Sequence, residues 1–160
     1  MGARSFMSLV FEQQLTPQAA QPLAPRHPAG DSCLEIVVVF TSPEPTVHAL
    51  KRAGALAARL NGRIVLLVPQ VVPYPLPLET PPVLVEFNEN RFRVMASESP
   101  VETNVQIFLC RDRFETLASV LKPGSIVVVG GQKRWWPTKE EILARQLRRA
   151  GYEVLFKETR

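Results

Sequence analysis

The chain has 160 residues, enough for one domain with a real core, and 46% of them are apolar, as in globular proteins. Nineteen Lys and Arg against fifteen Asp and Glu leave a net charge of +4, which tolerates anionic ligands but lacks the dense basic face with interleaved aromatics that nucleic acid calls for. No apolar run approaches the roughly 18 residues of a membrane span, and the two cysteines, Cys33 and Cys110, form neither a disulfide framework nor a metal-ligand spacing.

Residues 1–32 mix Gln13, Gln14, Gln18 and Gln21 with Pro17, Pro22, Pro25 and Pro28 and show no periodicity. Such a segment buries too little to offset its ordering entropy, so it is expected to be a disordered arm ahead of a domain spanning 33–160. The apolar patch Phe6 to Phe11 is too short for a signal-peptide core, and a cytoplasmic setting is expected. Leu34 to Phe40 is a β-branched run of the kind that forms a central parallel strand. Thr41-Ser42-Pro43-Glu44-Pro45 breaks it, and Thr46 is expected to cap a helix with Val47, Leu50, Ala53, Gly54, Ala57 and Leu60 on one stripe. Asn61-Gly62 ends that helix in the left-handed manner. Arg63 to Val72 is a second strand, expected to stop near Val68 because of Pro69, and a Pro-rich loop follows from Pro73 to Pro82.

Residues 82–97 read either as a helix, with Val83, Leu84, Phe87, Arg91, Val94 and Met95 on one side, or as a hairpin turning at Asn88-Glu89-Asn90. The helix is favoured, because a parallel neighbour needs a crossover. Val105 to Cys110 is the third strand. Asp112 and Glu115 have capping-box spacing at the head of a helix that buries Phe114, Leu117, Ala118 and Leu121. After the Pro123-Gly124 turn, Ser125 to Val129 is the fourth strand, ending on Gly130-Gly131. Thr138 and Glu141 cap a last helix whose apolar side is Ile142, Leu143, Leu147 and Ala150. Tyr152 to Lys157 is a terminal strand. The alternation defines an α/β, doubly wound five-stranded parallel sheet with helices on both faces.

Phe114, Leu117 and Ala118, then Lys122-Pro123-Gly124 and the strand Ile126 to Gly130, together with the opening unit Glu35 to Val68, resemble the universal stress protein family over roughly residues 34–158. The resemblance implies strand order 3-2-1-4-5 and a ligand crevice between strands one and four, beyond their carboxyl ends. The loops there would be Thr41 to Pro45 and Gly130 to Pro137. The ATP-binding branch of the family carries Gly-x2-Gly-x9-Gly-Ser/Thr after strand four. Here Gly130 is followed three residues later by Lys133 and Gly131 by Arg134, the next glycine is Gly151, and Thr41-Ser42 replaces the acidic residue usual after strand one. Only Gly130 carries over, so no cofactor is assigned, and ATP is the one ligand that the resemblance brings. The resemblance also implies a homodimer, often through the terminal strand, and Tyr152 to Lys157 is the kind of edge that another chain can pair with.

The residues nominated for ligand contact are Thr41, Ser42, Gly130, Gly131, Lys133 and Arg134. Two glycines would expose backbone N–H groups beside two cations, just ahead of a helix N-terminus; the plainer reading is a strand-to-helix turn with solvated charges. Of Trp135 and Trp136, one could stack on a base or a partner, or one could enter the core while the other lies over the sheet edge. Cys110 beside Arg111 at a helix start could be nucleophilic, but a half-buried structural thiol is the favoured reading. His27 and His48 lack ligand-spaced companions, Glu140-Glu141 are read as helix-dipole and cap residues, and Arg145, Arg148 and Arg149 as the wet side of the last helix. The expectation is a non-catalytic regulatory domain acting through protein contact and a homodimer. A nucleotide or phosphate binder using Gly130 to Trp136 is the alternative, and an enzyme the least favoured.

Overall fold

A computed structural model describes residues 34–79 and 85–159, with the side chains of residues 85 and 86 outside the description. The expected arm at 1–32, Cys33, His27, Val83 and Leu84 lie outside the described residues. The elements run β1 (Glu35–Val39), α1 (Pro43–Leu60), β2 (Arg63–Val71), α2 (Val85–Ala96), β3 (Thr103–Cys110), α3 (Arg113–Val120), β4 (Ile126–Gln132), α4 (Lys139–Arg149) and β5 (Glu153–Thr159). All four strand pairings are parallel, in the order β3-β2-β1-β4-β5. This is the doubly wound order expected.

The β-branched run of β1 sits at the centre because both of its faces are covered. Ile36 and Val38 pack with Leu50, Ala53 and Ala57 of α1 and Phe92 and Met95 of α2. Val37 and Val39 face the other way, onto Leu117 of α3 and Leu143, Ala144 and Leu147 of α4. Each fully buried Val, Leu or Ile contributes roughly 1.5–3 kcal/mol of transfer free energy, so these two layers hold the sheet between its helices.

Local chemistry explains where the observed elements depart from expectation. Helix α1 begins at Pro43, with Ser42 as its N-cap in extended conformation, because proline suits the first helical position. Thr46, expected as the cap, is buried inside the first turn instead. At the other end Asn61 takes the left-handed conformation (φ 50°) that closes the helix, as expected. Strand β2 continues through Pro69 to Val71. The Phe40 N–H donates to the Leu67 carbonyl (2.8 Å), so Leu67 and Pro69 share the side facing β1. Pairing with β1 ends at Leu67, and the N–H that Pro69 lacks would have pointed past the end of that strand.

Residues 85–96 are helical, as favoured, but the helix rests on a different face. Asn88, Phe92, Met95 and Ala96 are buried, whereas Phe87, Arg91 and Val94 are exposed. Two contacts select that face: Phe92 meets Phe40 edge-on, with ring centroids 4.7 Å apart, and the Asn88 amide donates to Gln70 Oε1 (3.1 Å). In α4 the buried side is Leu143, Ala144 and Leu147, while Ile142 is half exposed and Ala150 serves as the C-cap. Among the described residues no helix is long and apolar enough to cross a membrane.

Candidate functional site

The carboxyl ends of β1 and β4 meet where the strand order reverses, the place at which open α/β sheets bind ligands. Thr41, just past β1, is buried, with its hydroxyl and its N–H both engaged. Its hydroxyl donates to the Gly130 carbonyl (2.7 Å), and its N–H donates to Thr46 Oγ1 (3.2 Å). Three segments are thereby tied together: the end of β1, the first turn of α1 and the end of β4. Ser42 lies beside them and makes no side-chain cap bond.

Gly130 and Gly131 are not in a loop. Strand β4 runs through both, and they pair with Lys157 and Glu158 of β5. Their lack of a side chain serves packing. A Cβ on Gly130 would lie 2.2 Å from the Pro45 carbonyl oxygen, and one on Gly131 would lie 2.4 Å from the Phe156 ring. The Gly131 carbonyl accepts from the Thr159 hydroxyl (3.3 Å). The expected cradle of exposed glycine amides is thus replaced by a buried ladder, with the start of α1 seated directly on Gly130.

The loop begins only after Gln132. Lys133 donates its backbone N–H to the Thr159 carbonyl (3.0 Å), while the Lys133 and Arg134 side chains extend into solvent and bond none of the described residues. Trp135 and Trp136 are 93% and 76% exposed. Neither indole enters the core, and the space over Gly131 is taken by the Phe156 ring. The α4 N-terminus carries its own carboxylates. Thr138 Oγ1 accepts from the Glu141 N–H, and Glu141 Oε2 accepts from the Thr138 N–H, both at 3.3 Å. That capping box, read from the sequence, supplies the negative charge that the helix end favours.

Of the nominated residues, then, Thr41, Ser42 and Gly130 come together, Gly131 lies one step beyond, and Lys133 and Arg134 stand apart from them on the surface. Sequence reasoning missed Pro45, which touches Gly130; nothing in the spacing pairs them. It read Arg111 only as a cation beside Cys110; the guanidinium instead donates to the carbonyls of Val72 and Leu76 (both 2.6 Å) and lies 4.1 Å from the centroid of the Tyr74 ring. An arginine at the end of β3, facing a Pro-rich loop with an aromatic, was the available signal.

Cys110 is a buried strand residue. Burial pushes its thiol up from the ordinary value, against smaller opposing pulls from the Thr116 hydroxyl and Arg113. That is the inert end of cysteine chemistry. Asp112 caps α3 by accepting from the Glu115 N–H (2.8 Å), and Glu140 and Glu141 occupy the first turn of α4 as expected. No group of three or more potential metal ligands occurs among the described residues. Two shallow cavities lie away from the switch point. One, of about 270 Å³, is lined by Glu141, Arg145, Arg148 and Phe156; the other, of about 370 Å³, runs from Arg93 to Val105 beside β3.

Five parallel strands wound in both directions from β1, with two helices on each face, define a doubly wound α/β domain. The particular fold is that of the universal stress proteins. A member of that family from Burkholderia pseudomallei superposes with a TM-score of 0.53 at 24% identity, covering 76% of this chain and 93% of its own. A universal stress protein in complex with cAMP superposes with a TM-score of 0.50 at 17% identity, covering 78% and 95%. At these identities the likeness is one of fold. No protein-family model matches the chain, and neither does any curated protein.

Proposed function

We propose that the chain is a non-catalytic regulatory domain of the stress-response type, working in the cytoplasm through protein contact and associating with a second copy along the open edge of β5. The observation that carries this reading is the contrast at the carboxyl end of the sheet. The switch point is filled by the chain's own packing of Pro45 on Gly130, while the adjacent loop leaves two indoles bare. Exposed tryptophans are costly in water and favoured at interfaces.

The strand edge has a definite geometry. The Thr159 carbonyl accepts from Lys133, so odd-numbered residues of β5 face β4 and even-numbered ones face outward. The outward carbonyl of Val154 is covered by the Arg148 guanidinium, at 3.2 and 3.1 Å. Phe156 and Glu158 remain for a partner strand. Sedimentation velocity of the full chain tests this: a dimer is expected, and Glu158→Pro removes an outward N–H without touching the ladder to β4. A wild-type monomer, or a Glu158→Pro dimer as tight as wild type, would defeat the proposal.

A second reading is favoured by the complex of the structural neighbour with cAMP and by the two unengaged cations after β4. In it, Lys133 and Arg134 hold the phosphate of a nucleotide. Calorimetric titration with ATP and cAMP decides it: micromolar binding lost in Lys133→Ala/Arg134→Ala would put this reading first.

A further inference from the structure

We propose that the segment from Lys133 to Lys139 docks on an anionic phospholipid surface, with Trp135 and Trp136 entering the headgroup layer and Lys133, Arg134 and Lys139 meeting lipid phosphates. The inference goes beyond the protein contact along β5 and gives the bare indoles a partner of their own. Both ends of the segment are fixed. The Lys133 N–H donates to the Thr159 carbonyl (3.0 Å), and Thr138 belongs to the capping box of α4. Between these anchors residues 134–137 are all exposed. Trp135, at 93%, is exposed more than any other large apolar side chain among the described residues. The ends of β4 and α4 thus hold the indoles out in water instead of folding them back onto the domain.

Charge selects the partner. From Gln132 to Lys139 the chain carries Lys133, Arg134 and Lys139 and no carboxylate, and none of these cations is paired among the described residues. Of the carboxylates nearby, Glu141 is turned back onto the Thr138 N–H (3.3 Å), and the Glu140 Cβ lies over Gly131, 3.3 Å from where a Cβ there would be. Glu158 is level with Gly131, short of the loop. Indoles beside unpaired cations have the chemistry of a bilayer interface, where tryptophan sits at headgroup level and Lys and Arg meet anionic lipid. A single-stranded nucleic acid would also stack on indoles, but it needs cations tracking its backbone along a groove, and neither cavity described above is lined by an indole. The same end of the sheet exposes Tyr74 and Leu76, by 81% and 37%, in the loop after β2. Strands β2 and β4 flank β1, so the two loops leave the sheet about 10 Å apart. Apolar surface spread over two loops suits a plane better than a cleft.

Trp135 and Trp136 are the only tryptophans of the chain, so intrinsic fluorescence of the full-length protein reads this loop alone. Vesicles of phosphatidylglycerol and phosphatidylcholine in equal parts should carry the protein down on sedimentation and shift its emission to the blue. Lipid brominated in the acyl chain should quench that emission. Pure phosphatidylcholine at the same lipid concentration should do none of this. Each cation close to an anionic leaflet contributes roughly fivefold to partitioning, so Lys133→Ala/Arg134→Ala should weaken it about 20–30-fold at low salt. Trp135→Ala/Trp136→Ala should abolish co-sedimentation and leave the melting temperature unchanged, because neither indole is in the core. Wild-type protein that stays in the supernatant with the emission of free indole would overturn the proposal. So would equal binding to the neutral vesicles, or binding that survives loss of both tryptophans. Emission already blue before lipid is added would assign the indoles to a protein surface. A response to oligothymidylate, ATP or inorganic phosphate with none to vesicles would assign the loop to a soluble anion; either result rejects the lipid surface. Sedimentation velocity without lipid keeps the two proposals apart. A β5 dimer that ignores vesicles defeats the lipid surface alone, and a monomer that binds them supports the lipid surface while defeating the dimer.

Discussion

Replacing Gly130 by alanine separates a packing glycine from a ligand-loop glycine. The added Cβ would lie 2.2 Å from the Pro45 carbonyl oxygen, 2.6 Å from its carbon and 3.1 Å from its Cβ. Two of these are backbone atoms in the first turn of α1, so relief requires the helix start to move off the sheet. Overpacking of this kind costs about 1–3 kcal/mol. The same shift strains the hydrogen bond from the Thr41 hydroxyl to the Gly130 carbonyl (2.7 Å), a bond contributing about 1 kcal/mol. Alanine recovers about 0.5–1 kcal/mol by restricting the unfolded chain. The net loss is about 2 kcal/mol, which for a domain of this size lowers Tm by roughly 6–8 °C. Thermal melts followed by circular dichroism, with urea titration for the free energy, measure it. Gly131→Ala is the comparator, because its Cβ meets the far end of the Phe156 ring at 2.4 Å, which can swing aside; it should lose less than half as much. A Gly130→Ala protein that melts at or above the wild-type temperature would refute the packing argument.

Thr41→Val keeps the shape but removes the donor to the buried Gly130 carbonyl, and should cost about 1–3 kcal/mol in urea unfolding. For Cys110, folded-state burial raises the thiol pKa, so alkylation by iodoacetamide at pH 7 should be far slower than for a free thiol. The unfolded chain then releases its proton first. The associated stability is complete below the unfolded value and declines as pH rises above about 8.5; urea midpoints at pH 7 and 9.5 should show the fall. Arg111→Lys loses the two-pronged grip on Val72 and Leu76, and limited proteolysis should then cut within residues 73–79 several-fold faster with little change in Tm.

The sheet was legible from the sequence because β1 and β4 are unbroken β-branched runs and because the Asp112 and Thr138 caps mark helix starts with polar side chains whose role is local. What escaped was tertiary. The glycine pair after Val129 has the composition of a loop, yet it extends a strand, because β5 continues alongside to Thr159 and α1 presses on it. Proline at position 69 has the composition of a strand end, yet its missing N–H faces a gap set by where another strand stops. The wrong face of α2 was chosen because Phe87 and Phe92 are equally apolar, and only the ring of Phe40 and the Asn88–Gln70 bond, both long-range, distinguish the two faces. In the candidate site, Thr41 and Gly130 were found as residues, but not the bond between them, since 89 positions separate the hydroxyl from the carbonyl it bonds.

The Arg148 contact on Val154 gives the open edge a direction. A strand arriving from another molecule finds the first outward carbonyl of β5 occupied and the bonding groups of Phe156 and Glu158 at the far end. Two copies related by a two-fold axis can therefore overlap only through those terminal residues, which offsets the two sheets instead of aligning them side by side. Such a pair runs antiparallel along the shared edge, so the carboxyl ends of the two sheets would point in opposite directions and the two pairs of indoles would stand on opposite sides of the assembly.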